Sequence, residues 1–175
     1  MFFVRLILLG AIMLEKTGNL WTFNGVTVIT TNGFVKSDWT AVMGRGCALE
    51  AMRRYPNIEY YLGSCIRKFG NHCYRLAENL VSFPVKPRSS TTLKPVRHMA
   101  NKVAPGQSIP GWACVADINL IERSAHELVT MANKFDWEQI FLPRPGCGAG
   151  ELSWATVRPI LADIFDDRFV CVTYR

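Results

Sequence analysis

Short apolar runs rich in β-branched residues alternate along this chain with longer segments in which apolar positions recur at helical spacing. The runs lie at 26–31, 79–83, 139–142 and 169–174, and each has the length of one strand. Strands that alternate with helical segments are typical of a mixed or parallel sheet that is covered by helices. The pattern therefore predicts an α/β domain.

Four segments of the chain have the helical pattern. The first two, GRGCALEAMRRYP (44–56) and IEYYLGSCIRKF (58–69), are separated by Pro56. The third spans 117–134, and Asp117 is placed to cap its N-terminus. The fourth spans about 156–165, where Pro159 predicts either a first turn near Thr156 or a kink. These segments supply the helical layers that the strand pattern requires.

The stretch at 87–116 is rich in proline and glycine and is too long for a routine connection in a compact domain. We interpret it as a surface loop or insertion. It is the most basic part of the chain, because no acidic residue lies between Lys86 and Asp117 and five cations lie in or beside it: Lys86, Arg88, Lys94, Arg97 and Lys102. Such a stretch is either a mobile solvated loop or a functional lid or nucleic-acid contact.

The composition supports one packed domain. The chain has 175 residues, of which 49% are hydrophobic, and this excludes disordered and coiled-coil proteins. Its 20 lysines and arginines outnumber its 14 aspartates and glutamates, which gives a net charge of +6. A basic balance favours a polyanionic partner such as nucleic acid or a phosphorylated nucleotide.

The N-terminal run of apolar residues resembles a signal peptide, but it lacks a small-residue cleavage site and is too short to span a bilayer. We therefore expect an extension at 1–12, one domain at 13–175 and no membrane partner. The six cysteines form no C-x-x-C pair and have no histidine at metal-ligand spacing. They predict neither a zinc site nor disulfides, and reduced thiols favour a cytoplasmic location.

Two glycine-bearing segments each follow a predicted strand and precede a predicted helix. They are VMGRGCA (42–48) and PRPGCGAGELSW (143–154). Glycines let successive backbone N–H groups converge on phosphate oxygens beside a helix N-terminus, so two such loops indicate a pyrophosphate. A Rossmann fingerprint is excluded because its third glycine would fall at Leu49, and neither segment runs into the Gly-Lys-Ser/Thr of a Walker A loop.

The chain resembles the macrodomain superfamily in five ordered segments: GNLW (18–21), VITTNG (28–33), VMGRGCALEAMRRYP (42–56), VSFPVK (81–86) and LPRPGCGAGELSW (142–154). It is most similar to the branch of DNA ADP-ribosyl glycohydrolase antitoxins and more distantly to the human terminal ADP-ribose glycohydrolase. The resemblance covers roughly 13–175 apart from the basic stretch. It implies a three-layer α/β/α macrodomain with a mixed central sheet, whose cleft lies at the carboxyl ends of the strands.

The resemblance also implies a site for ADP-ribose. Lys86, at the end of FPVK, is the catalytic candidate, because a lysine at this position is associated with activity in the antitoxin branch. Gly150 stands where the human glycohydrolase has an aspartate, with Glu151 adjacent, and Asn19 stands where many macrodomains have an adenine-binding aspartate. The implied ADP-ribose-binding residues are Asn19, Asn32 at the distal ribose, Gly44, Arg45, Gly46, Cys47, Gly146, Cys147, Gly148, Ala149 and Gly150.

These implications predict an ADP-ribosyl hydrolase that removes ADP-ribose from a nucleobase in DNA or from a similar acceptor. DNA would bind through the basic stretch at 87–116, a cognate ADP-ribosyltransferase is the expected partner, and neither a metal nor a cofactor is expected. The N-glycosidic bond breaks through an oxocarbenium-like state, in which a lysine of lowered pKa serves as acid or as nucleophile. Two alternatives stay open: a module that binds ADP-ribose or a nucleotide signal without turnover, and a phosphatase for ADP-ribose 1″-phosphate.

Overall fold

The computed structural model describes residues 12–99 and 102–174. The expected extension at 1–12 lies outside the described residues except for Ile12, which is exposed. Met13 is already buried, and the Cys171 thiol lies 3.5 Å from its sulfur, so the packed domain includes residue 13.

Strands and helices alternate through most of the described chain. The strands are β1 (Leu14–Thr17), β2 (Val26–Asn32), β3 (Arg75–Ala77), β4 (Leu80–Lys86), β5 (Ser89–Thr91), β6 (Ser108–Pro110), β7 (Ile140–Pro143) and β8 (Phe169–Thr173). The α-helices are α1 (Gly46–Arg54), α2 (Ile58–Phe69), α3 (Ile118–Lys134) and α4 (Trp154–Ile164). The four predicted strands and the four predicted helical segments are all confirmed.

The central sheet has the strand order β1-β8-β7-β2-β4-β3. All neighbouring pairs are parallel except β3 with β4, which is antiparallel and forms one edge. The expected mixed sheet is therefore confirmed. Since β1, β8, β7, β2 and β4 all run in one direction, their carboxyl ends meet at the same edge of the sheet, where open α/β sheets bind ligands.

Helices cover both faces of the sheet. Successive side chains of a strand point to opposite faces, so the neighbours of two adjacent residues of β2 show which helices lie on each face. Val28 packs in the cluster that contains α3 and α4, whereas Ile29 packs in the cluster that contains α1 and α2. Both side chains are fully buried. The chain therefore has the three-layer α/β/α architecture that the resemblance implied.

The two long connections into α3 and α4 end in capped helix N-termini. The Asp117 carboxylate accepts hydrogen bonds from the backbone of Asn119 and Leu120, which confirms its predicted capping role. The predicted first turn of the fourth helix near Thr156 is confirmed: α4 begins at Trp154, and the Ser153 hydroxyl caps this turn by accepting from Thr156 N–H at 3.2 Å. Pro159 therefore lies beyond the first turn of α4.

The stretch at 87–116 is called the insertion below, and its described residues, 87–99 and 102–116, are folded. Its strands β5 and β6 form an antiparallel pair, and two short 3₁₀ turns lie at Arg97–Met99 and Gly111–Ala113. A small core of its own holds these parts together: Val96, Ile109, Ala113 and Cys114, with Met99 and Val103 against them. The insertion leaves and rejoins the domain at one place, since Asp117 N–H donates to the Val85 carbonyl at 2.9 Å.

Within residues 12–99 and 102–174, no helix is long and apolar enough to cross a membrane. The same residues contain no group of three or more His, Cys, Asp or Glu side chains that could hold a metal ion. All six cysteines are free thiols.

Candidate functional site

A cavity of about 860 Å³ lies at the carboxyl edge of the sheet. Residues at the ends of β1, β2, β4, β7 and β8 line it, together with both glycine loops. Both glycine loops therefore lie at the same edge of the sheet. The size is in the range of pockets that enclose a small molecule, roughly 300–1,000 Å³.

The first glycine loop brings an uncapped helix N-terminus to the cavity. Arg45 is the N-cap residue of α1, and no side chain caps the first turn of this helix. Gly44 and Gly46 have open space where a Cβ would be, and Gly46 has a φ of +55°. Free N–H groups and the positive end of the helix dipole make this turn suitable for a phosphate.

Cys47, in the first turn of α1, is positioned by Thr30 of β2. Thr30 N–H donates to the Cys47 sulfur at 3.4 Å. Burial raises the pKa of this thiol, which keeps it protonated at neutral pH. Cys47 therefore lines the predicted binding loop as a packed neutral group and is a poor nucleophile.

The second glycine loop has two kinds of glycine. Gly146 and Gly150 are packed tightly: a Cβ at either would collide with the Ala116 side chain, and one at Gly150 would also collide with the Gly146 carbonyl oxygen. Gly148, in contrast, has nothing within 4 Å of a Cβ position. The packed glycines hold the loop against the start of α3, and Gly148 leaves its surface open to the cavity.

Backbone N–H groups of the second loop divide in the same way. Those of Cys147, Glu151 and Leu152 donate to carbonyls within the loop. Those of Gly148, Ala149 and Gly150 have no hydrogen-bond partner among residues 12–99 and 102–174. Because unpaired N–H groups in a ligand cavity await an acceptor, this loop complements the first one as a second phosphate-binding surface.

The two predicted asparagines line the cavity, and their amides are partly used by their own loops. Asn19 caps a short 3₁₀ turn, where its side-chain oxygen accepts from Trp21 N–H at 3.0 Å. Asn32 donates to the Val42 carbonyl at 2.9 Å and accepts from Phe34 N–H at 3.0 Å. Asn32 therefore ties the end of β2 to the strand-like segment before the first glycine loop.

Lys86 ends β4 inside the cavity and is only 7% exposed. Its ammonium group donates to the carbonyls of Ala149 at 3.0 Å and Trp112 at 3.3 Å. Burial lowers the pKa of Lys86 from 10.5 to about 8; the Cys114 thiol and Glu151 partly oppose this shift, and Arg45 adds to it. A lysine of this kind can exchange a proton near neutral pH.

His98 lines the cavity and contacts Glu151 of the second loop. The sequence did not indicate His98, and it indicated Glu151 only as a neighbour of Gly150. Glu151 reaches from the second loop to the insertion: its carboxylate accepts from the His98 backbone N–H at 3.2 Å and lies 3.7 Å from His98 Nδ1. Their side chains are 11% and 12% exposed. His98 comes from the insertion, where no local motif indicates it.

Aromatic side chains that sequence reasoning did not assign to the site form part of its wall. Trp21 hydrogen-bonds Glu50 through its indole N–H and stacks on Arg54, with 4.6 Å between the guanidinium carbon and the ring centre. Trp112 enters from the insertion. The GNLW segment contains Trp21, so its position in that motif could have indicated it; Trp112 has no such signal.

Glu15 of β1 anchors the second loop from behind. Its carboxylate accepts from the Trp154 indole at 3.1 Å, binds Arg158 of α4, and lies 3.6 Å from Arg144 Nη2. The hydrogen bond from Arg158 lowers the pKa of Glu15 most strongly. This cluster fixes the start of the second loop to β1 and α4.

Comparison with solved structures gives consistent neighbours. The macrodomain of Mycobacterium tuberculosis DarG superposes with a TM-score of 0.66 at 17% identity, covering 94% of this chain and 98% of that one. The macrodomain of Thermus aquaticus DarG superposes with a TM-score of 0.62 at 19% identity, covering 93% of this chain and 97% of that one. Thermosipho africanus DarTG in complex with ADP-ribose superposes with a TM-score of 0.64 at 17% identity, covering 93% of this chain and 42% of that chain.

No protein-family model matches the sequence, and no curated protein matches it. The structural likeness nevertheless extends over nearly the whole of this chain and of both DarG macrodomains. It joins the strand order, the three layers and the cavity at the carboxyl edge into one recognised architecture: the chain has the macrodomain fold.

Proposed function

We propose that this protein is an ADP-ribosyl hydrolase that removes ADP-ribose from a nucleobase in DNA. The observation that carries the proposal is the position of Lys86, which is buried, has a lowered pKa and lies at the cavity beside the open second glycine loop. Lysine is almost never buried to this extent, and a buried ionisable group with a shifted pKa at a cavity marks a candidate functional residue.

Two groups of free N–H donors support the binding of a pyrophosphate. The uncapped turn of α1 and the unpaired N–H groups at 148–150 of the second loop both line this cavity. Two adjacent phosphates carry acceptor oxygens for both groups. The ADP-ribose present in the DarTG structure of the same fold supports this choice of ligand.

Lys86 would act on the leaving nucleobase. Two of its three N–H donors are directed to the Ala149 and Trp112 carbonyls, which leaves the third for a substrate atom. As the C1″–N bond breaks, its electron pair passes to the base nitrogen, which takes a proton from the ammonium group. Protonating the leaving group in this way is worth roughly 10²–10⁴-fold in rate.

The outer surface of the insertion supports DNA as the acceptor. Arg88, Lys94, Arg97 and Lys102 are all exposed there, and the insertion also lines the cavity through His98 and Trp112. Phosphates flanking a modified base would meet these cations while the ADP-ribosyl group occupies the cavity. The same proposal includes a cytoplasmic location and a cognate ADP-ribosyltransferase that makes the substrate.

The test compares single-turnover hydrolysis of ADP-ribosylated DNA by the parent, Lys86→Ala and Lys86→Arg. Lys86→Ala should be slower by roughly 10²-fold or more, and Lys86→Arg should fail as well, because guanidinium does not release its proton near neutral pH. Both variants should bind ADP-ribose, measured by calorimetry. Parent-like hydrolysis by Lys86→Ala would remove Lys86 from the mechanism.

One observation favours a second candidate, a module that binds ADP-ribose without turnover. The two carbonyls that accept from Lys86 also serve as structural partners for a buried cation, so they are consistent with a lysine that only holds the second loop and the insertion together. Saturable binding of ADP-ribose by a parent that turns over neither ADP-ribosylated DNA nor ADP-ribose 1″-phosphate would establish this candidate.

A further inference from the structure

Trp112 differs from the other tryptophans of the chain in having no stacking partner. Each of the others stacks on a neighbouring side chain: Trp21 on Arg54, Trp39 on Arg67, Trp137 on Phe135 and Trp154 on Arg144. Among residues 12–99 and 102–174, neither an aromatic ring nor a cation stacks on Trp112. The residue is 41% exposed and lines the cavity, so its large apolar ring is available to a planar ligand group.

The 3₁₀ turn that carries Trp112 is fixed on both sides. Gly111 N–H donates to the Arg88 carbonyl at 2.7 Å, and a Cβ at Gly111 would lie 1.8 Å from the Pro87 carbonyl oxygen, so the turn packs directly on the chain that leaves β4. Ala113 is 1% exposed and belongs to the core of the insertion. Trp112 is therefore an exposed residue between two buried ones, and a ring held in this way loses little conformational entropy when a ligand binds.

The contact with Lys86 places Trp112 at the reacting end of the cavity. The Trp112 carbonyl accepts from the Lys86 ammonium group at 3.3 Å, so the exposed surface of the residue belongs mainly to the indole. In the proposed reaction the same ammonium group protonates the leaving base. A base nitrogen in hydrogen-bond contact with Lys86 Nζ would bring the base beside the turn that carries the indole.

We infer that Trp112 is a specificity-determining residue whose indole stacks on the acceptor nucleobase while the ADP-ribosyl group occupies the cavity. This inference rests on the proposed function and names the group that recognises its acceptor. Every nucleobase has a π-face, so an aromatic side chain binds it without reading its sequence. Arg88 is exposed, and its backbone is hydrogen-bonded to the same turn, so its charge is available to a phosphate beside the stacked base.

Single-turnover hydrolysis of ADP-ribosylated DNA by the full chain, measured over a range of protein concentrations, separates affinity from rate. Trp112→Ala and Trp112→Leu should raise the protein concentration at half-maximal rate by about 10-fold, while the maximal rate stays within about 3-fold of the parent. Trp112→Phe keeps an aromatic face and should stay within about 3-fold of the parent in both quantities. The control Trp39→Ala removes a tryptophan that is 44% exposed and lies outside the cavity, and it should match the parent.

Free ADP-ribose has no acceptor base, so its calorimetric affinity should stay within about 3-fold of the parent in all Trp112 variants. An unchanged half-maximal concentration in Trp112→Ala, or a Trp112→Leu variant that matches Trp112→Phe, would overturn the stacking role and leave the proposed function standing. Loss of ADP-ribose affinity in Trp112→Ala and Trp112→Leu would also overturn it, since Trp112 would then serve the ADP-ribosyl group or the fold.

A parent that binds ADP-ribosylated DNA without turnover would overturn the proposed function alone. The same variants would then be compared by their equilibrium affinity for this DNA. A loss of about 10-fold in Trp112→Ala and Trp112→Leu, with Trp112→Phe near the parent, would support the stacking role, and equal affinities would overturn it.

Discussion

Lys86 should make the stability of the protein depend on pH in a way that one substitution removes. Its pKa is 10.5 when exposed and about 8 in the fold. Below about pH 8 Lys86 is protonated in both the folded and the unfolded protein, and the cost of burying the ammonium group is fully present. Between these two values the unfolded chain binds more protons than the native protein, so the free energy of unfolding rises with pH.

The magnitude follows from the shift. The whole effect is worth up to about 3 kcal/mol, of which about 2 kcal/mol develops between about pH 7 and about pH 9.5. Lys86→Met keeps most of the apolar stem and does not titrate. The difference in unfolding free energy between the parent and Lys86→Met should therefore move by about 2 kcal/mol in favour of the parent over this interval.

Urea unfolding followed by circular dichroism at the two pH values measures this difference. The carbonyls of Ala149 and Trp112 lose their donor in Lys86→Met. This loss shifts the difference in unfolding free energy by the same amount at every pH and leaves its dependence on pH unchanged. Lys134→Met, at an exposed position of α3, controls for the loss of one positive charge. A difference that stays constant from pH 7 to 9.5 would refute the argument that burial lowers the pKa of Lys86.

Two further predictions concern binding. Gly148→Glu should weaken ADP-ribose binding by at least 10²-fold in calorimetry, because one carboxylate about 5 Å from a phosphate is unfavourable by roughly 3 kcal/mol. The circular dichroism spectrum should be unchanged, because the new side chain enters open space. Gly148→Ala is the control, and equal affinities of the parent and Gly148→Glu would place the phosphates elsewhere. Three exposed cations of the insertion are neutralised together by Arg88→Gln, Lys94→Gln and Lys102→Gln. This triple variant should reduce the slope of log K for DNA binding against log salt concentration by roughly 3, whereas the control Lys68→Gln with Lys134→Gln should leave the slope unchanged. Equal slopes for the parent and the triple variant would exclude the insertion as the DNA contact.

The sequence predicted the elements whose burial pattern is local. The strand β2 and the helix α3 each carry a complete apolar face, and the pattern of each is readable within one segment. The strands β1 and β3 escaped prediction because they are short edges of the sheet, and the four residues of β1 are all exposed. Such strands exist because a neighbour offers hydrogen bonds, and their own sequence carries no period.

The site divides along the same line. Glycine loops and the FPVK strand end are contiguous motifs, so the placement of Gly148 and Lys86 at one cavity could be predicted. His98 could not, because its position depends on Val96 and Ile109 packing within the insertion and on Glu151 reaching across from the second loop. Contacts between segments about 50 residues apart leave no trace in the spacing of either segment.

The hydrogen bond from Asp117 N–H to the Val85 carbonyl makes the insertion exchangeable. Its two ends lie side by side, at the end of β4 and the start of α3, and its core is its own. A segment of different length and sequence can be grafted between these points, provided that it keeps the contact of Ala116 with Gly146 and Gly150 that holds the second loop. Under the proposed function, acceptor selectivity and nucleotide binding would be encoded in separable parts of the gene, and replacing one segment would redirect the protein to another acceptor.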